Sequence, residues 1–168
     1  GAKQHCVFCG LNNEGIAFRR KSTGRVVAEV TELLDRHGHR QFAAADNILP
    51  HDGYANLLPA LAAIGRGARY FYEIKANVRR DDVAMLHTAG VDEVQPGIES
   101  FSDAVLKEMR KGVTGAQNVA LLKWLAEYGV KVSFNILIGF PGETDADYEE
   151  MLDPLPRVAH LSAPMLGQ

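Results

Sequence analysis

An α/β fold on a parallel sheet is what this sequence predicts, on three observations. Strand-like and helix-like stretches alternate along the chain. The strand-like runs are rich in aromatic and β-branched residues, and capping residues and glycines mark where the helix-like runs start and stop. Alternation of this kind is most economically folded as βαβ units around a parallel sheet, and both a doubly wound sheet and a barrel of TIM type fit the pattern.

The segments justify themselves in turn. Over Gly24 to His37, Val26, Val27, Val30, Leu33 and Leu34 fall on one helical stripe, and Gly38 follows as a stop signal. Arg40 to Asp46 is a short apolar run closing on an acid, expected as the first strand of the chain. Tyr54 to Ile64 reads as a helix weakened or divided by Pro59. Ala68 to Ala76 is aromatic and reads as a strand. Arg79 to Ala89 is helical and closed by Gly90; Val91 to Ile98 is a strand. Ser102 caps a helix running to Lys111, whose Lys107, Arg110 and Lys111 suit the negative end of the helix dipole. Thr114 and Gln117 form a capping-box pattern that opens a helix to Tyr128, ended by Gly129. Val130 to Ile138 is a strand, Thr144 to about Leu152 a helix, and Val158 to Ser162 a last strand.

Composition narrows the classes. The 168 residues suit one domain, taken as residues 1–168, and 46% hydrophobic content allows a sizeable core. Eighteen Lys+Arg against twenty-one Asp+Glu give a net charge of -3, with no electrostatic attraction to nucleic acid or an anionic membrane. No apolar run reaches the length of a membrane span and no signal peptide opens the chain, so a cytoplasmic protein is expected. Two cysteines cannot build a disulfide scaffold. The chain opens without Met and its first motif ends at Cys9, so the domain is expected to be incomplete at both ends.

Strand alternation then points to a site. Phe71, Glu73 and Lys75 share one face of their strand; Gln95, Gly97 and Glu99 share one on the next; Ser133 and Asn135 share one on the strand after; Asp46 closes the first. Parallel strands buried on both faces are apolar throughout. Polar residues gathered near the C-terminal ends of four strands are instead what the mouth of a parallel barrel carries, where ligands bind. Solvated strand ends without a ligand are the plainer alternative.

Two motifs carry chemistry. Cys6-Val7-Phe8-Cys9 can grip one metal ion or form a redox pair. Tetrahedral zinc would need further ligands, and His37, His39, His51, His87 and His160 are scattered without matching spacing. A thioredoxin-like pair would open a helix, whereas a loop follows here. Ile138-Gly139-Phe140-Pro141-Gly142-Glu143-Thr144 ends a strand in a tight turn able to lie close to a ligand, with Glu143 before the next helix; a plain Pro-Gly turn is the alternative. No Gly-x-Gly-x-x-Gly sits in a strand-to-helix turn, which argues against a dinucleotide fold.

Taken together, the aromatic between the cysteines, the Gly97-Ile98-Glu99-Ser100 strand end and the turn from Ile138 to Thr144 resemble the radical SAM superfamily. The stretches HCVFCGLN, YEIKAN, VQPGIES, LKEMRKGVT and NILIGFPGET look most like its cobalamin-dependent C-methyltransferases that mature ribosomally made peptides. The resemblance implies a partial (β/α)6 TIM-like barrel lacking its first strand. It also implies a [4Fe–4S] cluster held by three cysteinates, with S-adenosylmethionine on the open iron site. Cys6 and Cys9 match the second and third ligands and Phe8 the aromatic before the third; the first would lie upstream of Gly1. Asp46 occupies the place of the motif for the methionine amino group, where Ala43, Ala44 and Ala45 depart from the usual Gly-Gly-Glu. Glu99 and Ser100 match the strand end meeting the methionine or ribose, and Ile138, Gly139 and the turn to Glu143 the motif beside the adenine. Glu73, Lys75 and Asn77 are further contacts at a strand mouth, with an internal Glu73–Lys75 ion pair as the competing reading.

In function, the resemblance implies generation of a 5′-deoxyadenosyl radical and C-methylation of a precursor peptide. Cobalamin would be bound by a domain outside this chain, and flavodoxin or ferredoxin would supply electrons. Another radical SAM activity (oxidoreductase, cyclase or methylthiotransferase) shares these motifs. A non-catalytic zinc or thiol binding module is the reading from a different class.

Overall fold

A computed structural model describes residues 7–8, 20–45 and 48–161. Cys6, Cys9 and Asp46 lie outside the described residues. The elements are α1 (Thr23–His37), β1 (Gln41–Ala43), α2 (Gly53–Ile64), β2 (Arg69–Ile74), α3 (Arg80–Thr88), β3 (Val91–Pro96), α4 (Asp103–Glu108), α5 (Gly115–Glu127), β4 (Lys131–Val132), α6 (Asp145–Leu152) and α7 (Leu155–Val158). The four strands form one sheet in the order β1-β2-β3-β4, and every neighbouring pair is parallel. This is an open part of a barrel, as expected of the fold.

Local chemistry sets the helix ends. Ser22 accepts the Arg25 N–H at the start of α1, and Gly38 ends it in the left-handed region at φ 66°. Thr114 and Gln117 close the capping box that opens α5, and Ser102 accepts the Val105 N–H at the head of α4. Helix α2 runs on through Pro59 as one element rather than dividing there.

Packing explains why the sheet is one-sided. Tyr70, Tyr72 and Ile74 of β2 and Val94 of β3 are buried in one cluster with Leu58 and Leu61 of α2, Val83 and Leu86 of α3, and Leu121 and Leu125 of α5. Burying each large apolar side chain contributes about 1.5–3 kcal/mol, so this face holds the helices to the sheet. The opposite face, with Phe71, Glu73, Glu93 and Gln95, is half-buried or exposed. A second cluster of Ile98, Phe101, Leu122, Met151 and Val158 joins the end of β3 to α5, α6 and α7.

The two helices expected from Ser102 and from Thr114 are both seen, so α4 and α5 together separate β3 from β4. The structure departs from the sequence expectation in two places. The strand expected over Val130 to Ile138 narrows to Lys131–Val132, followed by a single parallel bridge between Ile136 and Glu99. The strand expected from Val158 is instead the end of α7 and a turn, with Ser162 outside the described residues. There Leu155, Val158 and Leu161 recur at helical spacing and pack on the second cluster, while Arg157 pairs with Asp153 one turn back.

The junction of α5 with the end of β3 leaves no room for a side chain: a Cβ on Gly115 would sit 2.1 Å from the Phe101 carbonyl oxygen. Gly115→Ala is expected to lower stability by roughly 2–4 kcal/mol through the forced backbone shift. Gly24→Ala, in α1 with nothing within 4 Å, is expected to be neutral or stabilising. Urea unfolding of both variants checks the contrast.

Candidate cofactor site

The C-terminal ends of the strands open into a cleft of about 110 Å³ lined by Ile48, Glu73, Ile74, Gln95, Pro96, Gly97, Glu99 and Asn135. Parallel pairing in register brings these groups together: Glu73 lies opposite Gln95 and Ile74 opposite Pro96. Beyond Pro96 the chain leaves regular pairing, and Glu99 adopts φ 55°, a left-handed conformation that is uncommon outside glycine. Helix α5 holds that turn. Asn118 is wholly buried, and its Nδ2 donates to the carbonyls of Ile98 at 3.2 Å and Ser100 at 2.8 Å.

The Glu99 carboxylate accepts from Lys111 Nζ at 2.9 Å, with side-chain exposures of only 16% and 10%. The same ammonium lies 5.7 Å from the centroid of the Phe8 ring. Phe8 also meets Phe140 edge-to-face, with centroids 6.3 Å apart and planes at 86°. The backbone N–H of Val7 donates to the Met109 carbonyl at 3.3 Å. The residues between the two cysteines are thus docked at the rim of the cleft, between the turn after α4 and the turn after Ile138.

That second turn is braced by Glu143. Its Oε2 accepts from the Gly139 N–H at 2.8 Å, the Phe140 N–H at 2.9 Å and the Tyr148 hydroxyl at 2.5 Å. Gly139 also donates to the Tyr148 oxygen at 3.0 Å. Hydrogen bonding to the carboxylate holds the Tyr148 phenol above its ordinary pKa. Gly139 at φ 82° and Gly142 at φ 93° supply the left-handed residues that the turn needs. Asp147, on α6, accepts from the Thr144 hydroxyl at 2.7 Å, the Thr144 N–H at 2.9 Å and the Ser102 hydroxyl at 3.1 Å. It thereby ties this turn to the head of α4.

The sequence-predicted residues divide. Glu73 and Glu99 line the cleft; Phe8, Gly139 and Glu143 stand around its rim, the last as a brace with its Oε2 engaged by the turn. Ile138 is 76% exposed, an apolar side chain held out at the strand end. Ser100 is wholly buried: its hydroxyl accepts the Ser102 N–H at 3.1 Å, so its side chain faces the interior and not the cleft. Lys75 is exposed and does not line the cleft, and no ion pair joins it to Glu73. Lys75 falls just past the last residue of β2, where alternation no longer keeps its side chain on the face of Glu73. Ser100, matched by the resemblance and not by alternation, lies on the opposite side of the chain from Gln95, Gly97 and Glu99. Phe140 lies within the turn expected beside the adenine; Lys111, Asn118 and Tyr148 are site residues that sequence reasoning does not single out. Lys111 was read as a helix-dipole partner, and nothing in sequence spacing signals its return to Glu99.

An open parallel sheet whose strand ends gather two carboxylates and two amides into one cleft, with Val7 and Phe8 docked nearby, defines a barrel-type core with a polar site at its strand ends. The chain belongs to the radical SAM superfamily, whose family model matches residues 1–155. It is 28% identical over 166 residues to the ribosomal protein uS12 methylthiotransferase RimO of Solibacter usitatus, covering 90% of this chain and 36% of that protein. It is 27% identical to the tRNA-2-methylthio-N(6)-dimethylallyladenosine synthase of Hahella chejuensis, covering 91% and 38%. The chain thus spans little more than a third of these relatives' length. Among solved structures, the cobalamin-dependent S-adenosylmethionine radical enzyme OxsB with aqua-cobalamin and S-adenosylmethionine bound superposes with a TM-score of 0.70 at 19% identity, over 82% of this chain and 22% of that one. The radical S-adenosylmethionine methyltransferase TsrM of Kitasatospora setae, with tryptophan and a SAM analogue bound, gives 0.71 at 19% identity, over 83% and 29%.

Membership implies a [4Fe–4S] cluster and S-adenosylmethionine, and the residues present fit both. Two thiolates in Cys-x-x-Cys spacing are the soft donors that iron–sulfur clusters take. Glu73 and Glu99 suit a sulfonium and an ammonium, while Gln95 and Asn135 can pair with hydroxyls or ring nitrogens.

Two outcomes follow from this geometry. Tyr148→Phe removes the hydroxyl that holds Gly139 and Glu143, and is expected to weaken S-adenosylmethionine binding roughly three- to tenfold by calorimetry on cluster-loaded protein. Asp147 has its pKa lowered below 3.8, chiefly by the Thr144 hydroxyl. A lowered carboxylate pKa adds stability that is complete above the unfolded value and is lost as pH falls through the folded one. The stability gap between wild type and Asp147→Asn is therefore expected to be full at neutral pH and to shrink once pH drops below 3.8, as urea midpoints across pH will read.

Proposed function

We propose that this domain is the core of a radical SAM enzyme that binds a [4Fe–4S] cluster through Cys6, Cys9 and a further cysteine, and S-adenosylmethionine in the cleft at the strand ends. The observation that carries the reading is the docking of Phe8, the residue between the two cysteines, beside the Glu99–Lys111 pair at the edge of that cleft. When bound, the two groups together supply one-electron cleavage of a carbon–sulfur bond, giving a carbon radical able to take a hydrogen atom from an unactivated position. The chain's own work is to hold and orient. Glu73 and Glu99 meet positive charge and Gln95 and Asn135 meet polar edges, while the turn from Gly139 to Glu143, a few residues past Asn135, is held rigid by its own hydrogen bonds.

The finer reading is methyl transfer to a carbon of a ribosomally made precursor peptide, in a cytoplasmic protein that also uses cobalamin and receives electrons from a flavodoxin or ferredoxin. It is supported by the stretches HCVFCGLN, VQPGIES and NILIGFPGET; the structural neighbours carry the fold alone. Methylthio transfer is the second reading, favoured by the curated methylthiotransferase relatives.

The test uses the whole protein carrying this domain, reconstituted anaerobically with iron and sulfide. A reduced-cluster EPR signal that changes on adding S-adenosylmethionine and is absent from a Cys6→Ala/Cys9→Ala variant is the expected result. Stoichiometric zinc with no cluster would sink the reading and leave a thiol–metal binding module. Product mass then separates the finer readings: one added methylene, dependent on cobalamin, supports the first, and an added methylthio group supports the second.

A further inference from the structure

We propose that Lys111 is the positioning residue that fixes the cysteine loop against the cofactor cleft, by holding the Phe8 ring under an ammonium that Glu99 keeps in place. This rests on the radical SAM reading of the Cys6–Cys9 loop and adds a residue that the reading does not contain.

The geometry is specific. A lysine just past a helix end ordinarily reaches into water near the last carbonyls. Here α4 gives way to an irregular turn with Arg110 at φ 55° and Gly112 at φ 72°, and the Lys111 N–H donates to the Leu106 carbonyl at 3.0 Å. That turn sends the side chain inward until it is only 10% exposed. The ammonium donates to Glu99 Oε1 at 2.9 Å and lies 5.7 Å from the Phe8 centroid, within cation–π range. Gly97 makes room for it, because a Cβ there would stand 2.9 Å from Nζ and 3.3 Å from Glu99 Oε1. The same turn grips the loop a second time through the Met109 carbonyl, which accepts the Val7 N–H. Phe140 meets the Phe8 ring edge-on. The ring therefore has one neighbour from the turn after α4, held to the strand end by Glu99, and one from the turn after Ile138. A plain structural ion pair would tie the end of β3 to the turn after α4 and be indifferent to Phe8. An ion pair whose cation is shared with the ring ties the cofactor side of the cleft to the loop between the thiolates.

The test again uses the whole protein, reconstituted anaerobically, as wild type, Lys111→Met, Lys111→Arg and the double variant Glu99→Gln/Lys111→Met. The readouts are the rate at which an iron chelator strips the cluster and the EPR line shape of the reduced cluster without S-adenosylmethionine. Lys111→Met is expected to lose iron several-fold faster, with an altered line shape. Lys111→Arg should match wild type, since a guanidinium keeps both contacts. The double variant leaves no carboxylate unpaired, so it should fold even if Lys111→Met does not, and it should still lose iron as fast as the single variant. Wild-type rates and spectra in both methionine variants would overturn the proposal, as would recovery in the double variant or fast loss in Lys111→Arg. A wild-type protein that takes up no cluster would overturn the functional reading, and this proposal with it.

Discussion

The cleft depends on one buried amide. Asn118 reaches from α5 to the carbonyls of Ile98 and Ser100, which lie just where β3 stops pairing as a strand. A buried carbonyl with no partner is costly, and a chain leaving a sheet creates such carbonyls wherever the ladder ends. By accepting from Asn118, these two can remain in the interior while the residue between them takes φ 55°. Glu99 is that residue. Its strained backbone aims a carboxylate back toward the cleft, and strain of this kind persists only where the surroundings over-determine it. Gly115, pressed against the Phe101 carbonyl, sets the approach of α5 that lets Asn118 reach.

From that fixed point the rest of the rim is assembled by chain segments remote in sequence. Glu99 holds Lys111, Lys111 lies against Phe8, and Phe8 meets Phe140. Phe140 in turn belongs to a turn whose N–H groups converge on Glu143, braced from α6 by Tyr148. Asp147, one residue earlier on α6, reaches back to Ser102 at the head of α4, so the circuit closes behind the cleft as well as in front of it. None of these links is strong alone. Their arrangement matters because Phe8 lies between the thiolates, and its position is set jointly by the two walls that would meet the cofactor.

How much of this the sequence made legible follows from what each feature depends on. The parallel α/β pattern and the caps of α1, α4 and α5 rest on local chemistry and periodicity, and each is seen. Glu73, Gln95, Glu99 and Asn135 were legible as cleft residues because strand register carries them to the same end of the sheet. The last strand was misread because Val158, Leu161 and their neighbours are apolar at a spacing that also suits a helical turn, and Pro154 and Pro156 favour the latter. Lys75 falls off the cleft because alternation was carried one residue past the end of β2, and Ser100 because the motif that brings Glu99 to the cleft turns its neighbour inward. Lys111 was illegible for a different reason: its inward course depends on a left-handed residue at Arg110 and on the empty space above Gly97, and neither is encoded in a local pattern.

The breadth of the relatives bears on where specificity must lie. Methylthiotransferases that differ in substrate, one named for a ribosomal protein and one for a tRNA base, match nearly all of this chain while it spans little more than a third of each. What they share with it is the radical SAM core, at whose strand ends the carboxylates and amides of the cleft lie. Selection of the carbon to be modified calls for surfaces that can vary without disturbing this core. Among the described residues, Ile138 is held out largely exposed, immediately before the braced glycine turn. An apolar side chain in that place can change size without breaking any hydrogen bond of the turn.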